Sequence, residues 1–186
     1  MPPSEWSLKP AALLVEYFHL LTSQNPPGPI LDLACGRGQN GVFLARQKLE
    51  VICCDRSQEA LDHTGRTAAK HGVDVRLWKV DLEKEGMDPL PKDSYGAILV
   101  FRYLHRPLIP FIKKALRNEG LLFYETFTIQ QPKFGKPRNP SFLLKPGELL
   151  KWFKDWHLHH YFEGTRQSPE RAVAQLVCRK CPSASA

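Results

Sequence analysis

The stretch ILDLACGRGQNG, residues 30–41, decides the fold because an apolar strand runs directly into a glycine-rich turn. Its glycines, Gly36, Gly38 and Gly41, have the spacing GxGxxG, in which glycine lets the backbone turn sharply from a strand into a helix and lets a ligand approach the main chain. Asp55 follows 19 residues after Gly36, at the end of the next apolar run, where a carboxylate can accept hydrogen bonds from ribose hydroxyls. Strand, loop, helix and acid together predict a nucleotide-binding site.

Asp32, in the middle of this strand, indicates which nucleotide the loop holds. A buried carboxylate is costly unless its charge is compensated, and beside the pyrophosphate of a dinucleotide such as NAD it would repel the ligand. S-adenosylmethionine carries an ammonium and a sulfonium group and no phosphate, so a carboxylate at the mouth of this strand favours it, directly or through water. The length agrees, because 186 residues leave no room for the separate substrate domain that a dehydrogenase usually needs.

The rest of the chain alternates between strand-like and helix-like segments. Apolar runs of strand length occur at 29–33, 51–55, 75–80, 96–101, 121–127, 156–162 and 172–178, and segments with helical spacing occur at 11–21, 39–48, 57–71 and 108–118. This alternation predicts a parallel sheet with helices on both faces. The short, turn-rich link between the last two strands predicts a hairpin, and therefore an antiparallel edge.

Composition and length predict one globular domain over residues 1–186, with an N-terminal helical segment at 1–27 and a core at 28–180. No apolar run approaches the ~20 residues of a membrane span, and MPPSEWSLKP does not have the pattern of a signal peptide, so we expect a cytoplasmic protein. The five cysteines are expected to be reduced thiols, and no spacing predicts a metal site. The net charge of +7 favours an acidic partner, either a nucleic acid or a small anion.

Four stretches together resemble class I S-adenosylmethionine-dependent methyltransferases: the glycine loop, the acid that ends VICCD, Val80-Asp81-Leu82, and LRNEGLLFYE at 116–125. The resemblance covers roughly residues 28–180. It implies a Rossmann-like, mostly parallel sheet of seven strands in the order 3-2-1-4-5-7-6, with the last strand antiparallel. Within this class, YETFT followed by FGKPRNPSFLL is similar to the small-molecule enzymes grouped with the tellurite-resistance methyltransferases.

The resemblance also implies roles for individual positions, with S-adenosylmethionine as the cofactor. Asp55 would bind the ribose, Asp81 would face the adenine amino group, Leu82 would pack on the ring, and Arg56 would line the adenine side. The glycine loop would hold the methionine part. The other implied cofactor contacts lie on or before this loop and at the end of the fourth strand: Asp32, Ala34, Gly36, Gly38, Asn40 and Phe101.

The methyl acceptor is expected over the carboxyl ends of the strands, where ligands of open parallel sheets bind. The fourth strand ends in FRYLHR, which offers Arg102 and Tyr103 to orient an acceptor and His105 as a base. At the end of the fifth strand, Glu125 is either a base or the partner of a nearby arginine. Purely structural roles for these four side chains stay open.

The segment 129–146 has the composition of a lid. Its four prolines and one glycine exclude a regular helix or central strand, yet it keeps several apolar side chains. Residues 130–154 carry six basic side chains against one acid. Phe134 and Arg138 are therefore candidates to contact the acceptor, and an ordered surface loop with solvated charges is the alternative.

These observations predict a methyltransferase that acts on a small molecule, with anionic acceptors among the candidates. A basic chain also allows methylation of RNA, although no appended RNA-binding domain fits in this length. A third hypothesis is a sensor that binds S-adenosylmethionine without turnover, because no side chain is an unmistakable catalytic base. The acceptor atom and the oligomeric state do not follow from the sequence.

Overall fold

The structure, a computed structural model, describes residues 9–86 and 88–182. Residues 1–8 lie outside these ranges. They belong to MPPSEWSLKP, the stretch that the sequence analysis considered for a signal peptide. The strands are β1 Ile30–Leu33, β2 Val51–Asp55, β3 Arg76–Lys79, β4 Tyr95–Phe101, β5 Leu116–Phe127, β6 His157–Arg166 and β7 Arg171–Arg179. The helices are α1 Ala12–Glu16, α2 Phe18–Ser23, α3 Gln39–Arg46, α4 Gln58–Lys70, α5 Ile109–Ala115 and α6 Glu148–Trp152.

The seven strands form one sheet in the order β3-β2-β1-β4-β5-β7-β6, which confirms the predicted fold. β1 pairs in parallel with both β2 and β4. The pairs β2–β3 and β4–β5 are parallel as well. β7 is antiparallel to both β5 and β6, so the last two strands form the predicted hairpin. The central strands are buried on both faces, which explains why their sequences are continuous apolar runs instead of alternating ones.

Helices cover both faces of this sheet. One face packs against α1 to α4, through buried residues such as Leu13 and Leu61, and the other packs against α5 and α6, through Ile112 and Leu149. The predicted N-terminal helix is interrupted at Tyr17, so that it forms α1 and α2. No helix within residues 9–86 and 88–182 is long and apolar enough to cross a membrane.

Several boundaries differ from the sequence prediction; β6, for example, ends at Arg166 and not at 162. The helix expected at 108–118 ends at Ala115, because the chain enters β5 at Leu116, five residues before the expected start of that strand. α4 begins as predicted, since the Ser57 hydroxyl accepts a hydrogen bond from the Ala60 amide at 3.2 Å, which satisfies one free N–H group of the first turn.

The segment between β5 and α6 folds back over the carboxyl ends of the parallel strands. Thr128 forms an isolated bridge with Leu144, the Leu144 amide donates to the Phe127 carbonyl at 2.9 Å, and the Ile129 amide donates to the Leu144 carbonyl at 3.0 Å. Within it are only two short 3-10 turns, Gln131–Lys133 and Pro140–Phe142, as expected for a proline-rich stretch. We call residues 129–146 the cap segment.

Candidate functional site

A cavity of about 750 Å³ lies between the carboxyl ends of the parallel strands and the cap segment. One half is lined by residues at or just after the carboxyl ends of β1, β2 and β3, namely Ala34, Asp55, Arg56, Val80, Asp81, Leu82 and Glu83. The other half is lined by residues at or just after the carboxyl ends of β4 and β5 and by the cap segment, namely Arg102, Tyr103, Leu104, Thr126, Phe127, Lys136, Pro137, Arg138, Asn139 and Phe142. We refer to these as the cofactor half and the acceptor half.

The glycine loop is joined to the end of β2 through Asp55. One carboxylate oxygen of Asp55 accepts from the Gly36 amide at 3.0 Å and the other from the Ser57 amide at 2.9 Å. Gly36 has φ +55°, and a Cβ built on it would meet no atom within 4 Å, so the main chain here borders open space. Because a carboxylate has about four acceptor positions, Asp55 keeps capacity for a ligand.

The loop after β3 supplies the second acid of the cofactor half. Asp81 accepts from the Glu83 amide at 3.0 Å, which fixes the turn, and the adjacent Leu82 is buried with its side chain on the cavity wall. Arg56 lines the same half and is exposed. The positions Ala34, Asp55, Arg56, Asp81 and Leu82 are therefore brought together around one space, as predicted.

Asp32, the third residue of β1, does not line the cavity, and its contact with a ligand, directly or through water, stays a prediction. Its carboxylate is buried and accepts from the Gly41 amide at 2.9 Å, at the start of α3. Burial raises the pKa of Asp32 to about 7, against the lowering effect of the Gly41 hydrogen bond. A Cβ at Gly41 would come within 2.3 Å of Cys53 Sγ, so strand and helix are in close contact here. Asp32 joins β1 to α3 beneath the loop.

Four further positions predicted as cofactor contacts do not line the cavity: Gly36, described above, Gly38, Asn40 and Phe101. Gly38 packs against Thr64 of α4, where an added Cβ would lie 2.3 Å from the threonine methyl. Asn40 accepts from the Ala11 amide at 2.8 Å and so holds the start of α1. Phe101, the last residue of β4, packs on the face that α1 to α4 cover.

Tyr103, His105 and Glu125 are the three predicted catalytic residues, and of these only Tyr103 lines the cavity. Its hydroxyl oxygen is buried and makes no hydrogen bond to any residue in the described part of the chain. Burial, with a smaller contribution from the Glu83 charge, raises the pKa of Tyr103 far above its ordinary value. The hydroxyl therefore stays protonated at neutral pH and can act as a donor, not as a base.

His105 and Glu125 do not line this cavity. His105 lines a neighbouring groove with Glu85, Asp88 and Phe111. Glu125 is buried, accepts from Gln175 Nε2, and lies 3.9 Å from a guanidinium nitrogen of Arg171. Of the two roles left open for Glu125, the structure supports the ion-pair partner.

The acceptor half brings cations together from two distant segments. Arg102 follows β4, with φ +57° and its amide bonded to the Glu125 carbonyl at 2.8 Å, and Lys136 and Arg138 come from the cap segment. Arg102 and Arg138 are thus placed as predicted, whereas Phe134 does not line the cavity. Thr126 and Phe127 were not among the predicted site residues, although their position at the carboxyl end of β5 is a signal that could have identified them.

Arg106 holds the cap segment in place. Its guanidinium donates to both carboxylate oxygens of Glu148, at 2.8 and 2.9 Å, and to the carbonyls of Ser141 and Leu143, at 3.0 and 2.8 Å. Gln131 adds a second attachment, because it accepts from the Ala172 amide and donates to the Lys136 carbonyl. The roof of the acceptor half is therefore an ordered part of the structure.

The charges of the two halves differ, and this limits what the site can bind. Three acids, Asp55, Asp81 and Glu83, and one base, Arg56, line the cofactor half, whereas the acceptor half is lined by the bases Arg102, Lys136 and Arg138. No cluster of His, Cys, Asp and Glu within residues 9–86 and 88–182 has an arrangement suited to a metal ion. The cofactor half is therefore acidic on balance, and the acceptor half is basic.

Comparison with known proteins agrees with this geometry. A family model described as a methyltransferase domain matches residues 30–120. The chain is 24% identical over 143 residues to the "Probable S-adenosyl-L-methionine-dependent methyltransferase TehB" of Haemophilus influenzae, which covers 74% of this chain and 49% of that protein. It thus spans about half the length of the curated relatives that it matches.

Solved structures share the fold. The crystal structure of TehB from Haemophilus influenzae superposes with a TM-score of 0.66 at 20% identity, over 88% of this chain and 62% of that one. Geranyl diphosphate C-methyltransferase from Streptomyces coelicolor, in complex with Mg²⁺, geranyl diphosphate and S-adenosyl-L-homocysteine, gives a TM-score of 0.66 at 16% identity, over 89% and 77%.

Proposed function

We propose that this chain, whose residues 30–120 match a methyltransferase-domain model and whose fold is shared with S-adenosylmethionine-dependent enzymes, transfers the methyl group of S-adenosylmethionine to a small, anionic molecule. The single observation that carries the proposal is the cavity itself, which combines an acidic cofactor half with a basic acceptor half.

The residues of the cofactor half fit an adenosyl group. Asp55 is held by two backbone amides with acceptor capacity left for ribose hydroxyls, Leu82 offers an apolar wall for the adenine ring, and Asp81 stands beside it. When bound, S-adenosylmethionine supplies an electrophilic methyl group on a positively charged sulfur. The open space at Gly36 leaves room for the methionine part.

The acids of this half also discriminate between nucleotides. Carboxylates repel phosphates and attract cations, so Asp81 and Glu83 disfavour the pyrophosphate of a dinucleotide and favour a sulfonium nucleoside. Asp55, as a partner for ribose hydroxyls, suits either nucleotide.

The acceptor half would promote methyl transfer mainly by positioning the acceptor. Methyl transfer is an in-line displacement, and a rigid enclosure supplies much of its rate by aligning the nucleophile and excluding water. The cap segment, held by Arg106, forms that enclosure, and the Tyr103 hydroxyl can donate to the acceptor. The basic side chains would attract an acceptor that already carries negative charge.

The direct test is formation of S-adenosylhomocysteine. Purified protein is incubated with S-adenosylmethionine labelled in the methyl group and a panel of organic acids and thiols, and product is followed by mass spectrometry. We expect turnover with at least one anionic member and none in Asp55→Ala at the same cofactor concentration. Cofactor binding without any transfer, across the panel and short RNAs, would instead favour the sensor function.

A further inference from the structure

We propose that the acceptor is an amphipathic organic anion, an aromatic ring or short apolar chain that carries a carboxylate or phosphate, and not a bare inorganic oxyanion. This inference deepens the proposed function and rests on it. It depends on three features of the acceptor half: unpaired cations, exposed aromatic surface and a strained arginine.

The cations of the acceptor half have no partners of their own. Elsewhere, Arg106, Arg171 and Arg179 each lie within 4 Å of a carboxylate. By contrast, no ion pair or side-chain hydrogen bond to residues 9–86 or 88–182 is formed by Arg102 or Arg138. Two positive side chains from different segments, both in the acceptor half and neither paired with an acid of the cofactor half, indicate an anionic ligand in the acceptor half.

The backbone of Arg102, on the wall of the acceptor half, is in a strained conformation. It has φ +57°, the left-handed region that few residues other than glycine, asparagine and aspartate adopt. The peptide is held by the hydrogen bond from its amide to the Glu125 carbonyl. Strained backbone that the surrounding structure enforces is concentrated at functional sites, and here the strain occurs at the residue that places a guanidinium on the cavity wall.

The same half presents apolar surface that an inorganic ion would leave uncovered. Phe142 is 50% exposed although it lines the cavity, and Phe127, Leu104 and Pro137 line it as well. A hydrated oxyanion would contact the cations and leave these side chains in water. A ligand with an apolar body would cover them.

The arrangement also excludes a neutral apolar acceptor. Such a molecule would contact Phe127 and Phe142 but would offer no negative charge to Arg102 and Arg138. A ligand with an apolar body and a negative charge would contact the aromatic side chains and pair with the cationic ones at the same time.

The test compares three probes by calorimetry in the presence of S-adenosylhomocysteine. They are 2-naphthoate, 2-naphthalenemethanol, which has the same ring without the charge, and inorganic phosphate, which has charge without the ring. We expect naphthoate to bind at least tenfold more tightly than either of the others. Equal or tighter binding of phosphate or of the alcohol would overturn the proposal.

Variants separate the two parts of the site. Arg102→Asn removes the charge with a residue that tolerates φ +57°, and Phe142→Ala removes the exposed ring; we expect each to weaken naphthoate binding at least fivefold with unchanged unfolding midpoints. Lys133→Ala, on the same cap segment but outside the cavity, is the matched control and should bind normally. An unchanged Kd of naphthoate in both Arg102→Asn and Phe142→Ala would overturn the proposal. It would also be overturned by a short RNA that competes with naphthoate and binds more weakly to Lys133→Ala.

Titration with S-adenosylmethionine alone distinguishes failure of this inference from failure of the proposed function. If the cofactor binds and transfers its methyl group but naphthoate shows no preference, the acceptor class is wrong and the function stands. If neither the cofactor nor naphthoate binds, both are wrong.

Discussion

The guanidinium of Arg106 and the carboxylate of Glu148 form a two-bond ion pair, at 2.8 and 2.9 Å, that joins the segment after β4 to the first turn of α6. The Glu148 oxygen at 2.9 Å also accepts from the Lys145 amide at 2.8 Å. Because Arg106 bonds two carbonyls of the cap segment as well, this pair fixes the roof of the acceptor half relative to Arg102 and Tyr103, which lie a few residues earlier on the same loop.

Glu148→Gln should lower the free energy of unfolding by about 1–2 kcal/mol, because the pair is partly buried and its hydrogen bonds are charge-assisted. Urea unfolding at neutral pH measures this. Glu50→Gln is the matched control, since the Glu50–Arg76 pair is 3.7 Å apart and largely exposed, and should change stability by less than about 0.5 kcal/mol.

The same pair has a predictable pH dependence. Burial alone would raise the pKa of Glu148, but the hydrogen bonds from Arg106 and the Lys145 amide outweigh it and hold the pKa below its ordinary value. A carboxyl with a lowered pKa in the folded state stabilises above its unfolded pKa and loses that effect as pH falls through the folded value. The difference between the parent protein and Glu148→Gln should therefore shrink below about pH 4. An unchanged difference at pH 3 would contradict this account.

Asp32 predicts a pH dependence of the opposite sign. Its pKa of about 7 in the folded protein lies well above the unfolded value, so the folded state binds more protons between these limits and stability declines as pH rises through them. Asp32→Asn stays neutral and can still accept from the Gly41 amide. We expect its stability relative to the parent to increase by at least ~1 kcal/mol between pH 5 and pH 8.

The control for Asp32→Asn is Asp74→Asn, an exposed acid on the loop before β3. Its stability relative to the parent should be constant over the same range. If Asp32→Asn behaves in the same way, the Asp32 carboxylate ionises normally in the folded protein.

Gly38→Ala should be more destabilising than Gly72→Ala. Both glycines have left-handed backbone, with φ +74° and +64°, and alanine there costs about 1–2 kcal/mol. At Gly38 the added Cβ also lies 2.3 Å from the Thr64 methyl, whereas at Gly72 it meets no atom within 4 Å. Urea unfolding should show an additional loss of about 1–3 kcal/mol for Gly38→Ala. Equal losses would mean that α4 moves away from the loop without cost.

Arg138→Ala should impair use of the acceptor and spare the cofactor. With an acid that supports turnover, we expect kcat/KM to fall about tenfold or more, which corresponds to about 1.4 kcal/mol, while the Kd of S-adenosylmethionine stays within about twofold. Lys133→Ala should change neither quantity. Equal loss of acceptor and cofactor affinity in Arg138→Ala would show that the cap segment closes over both ligands.

The features that the sequence predicted well are those with local signals. Strand runs, the glycine loop and the acid at the end of β2 follow from periodicity and spacing, and Asp55 indeed meets the loop through the Gly36 amide. The order of the strands came from the family resemblance. Arg102 and Arg138 were placed correctly because each follows a recognisable strand end or lies in the proline-rich cap segment.

The errors concern the direction of individual side chains. Strands of this sheet are buried on both faces, so no polar–apolar alternation indicates which side of β5 carries Glu125. Asn40 bonds to Ala11, which lies 29 residues away, and no local pattern encodes such a contact. His105 lies on the loop after β4, and where its side chain points depends on packing against the loop after β3.

The central claim, that the cofactor half accepts a sulfonium nucleoside and not a dinucleotide, is tested most directly by calorimetric titration of one protein with S-adenosylmethionine and with NAD. We predict saturable binding of S-adenosylmethionine only, weakened by about 1–3 kcal/mol in Asp55→Ala and unchanged in Asp74→Ala. Binding of NAD without binding of S-adenosylmethionine, or full affinity for S-adenosylmethionine in a folded Asp55→Ala protein, would contradict the account.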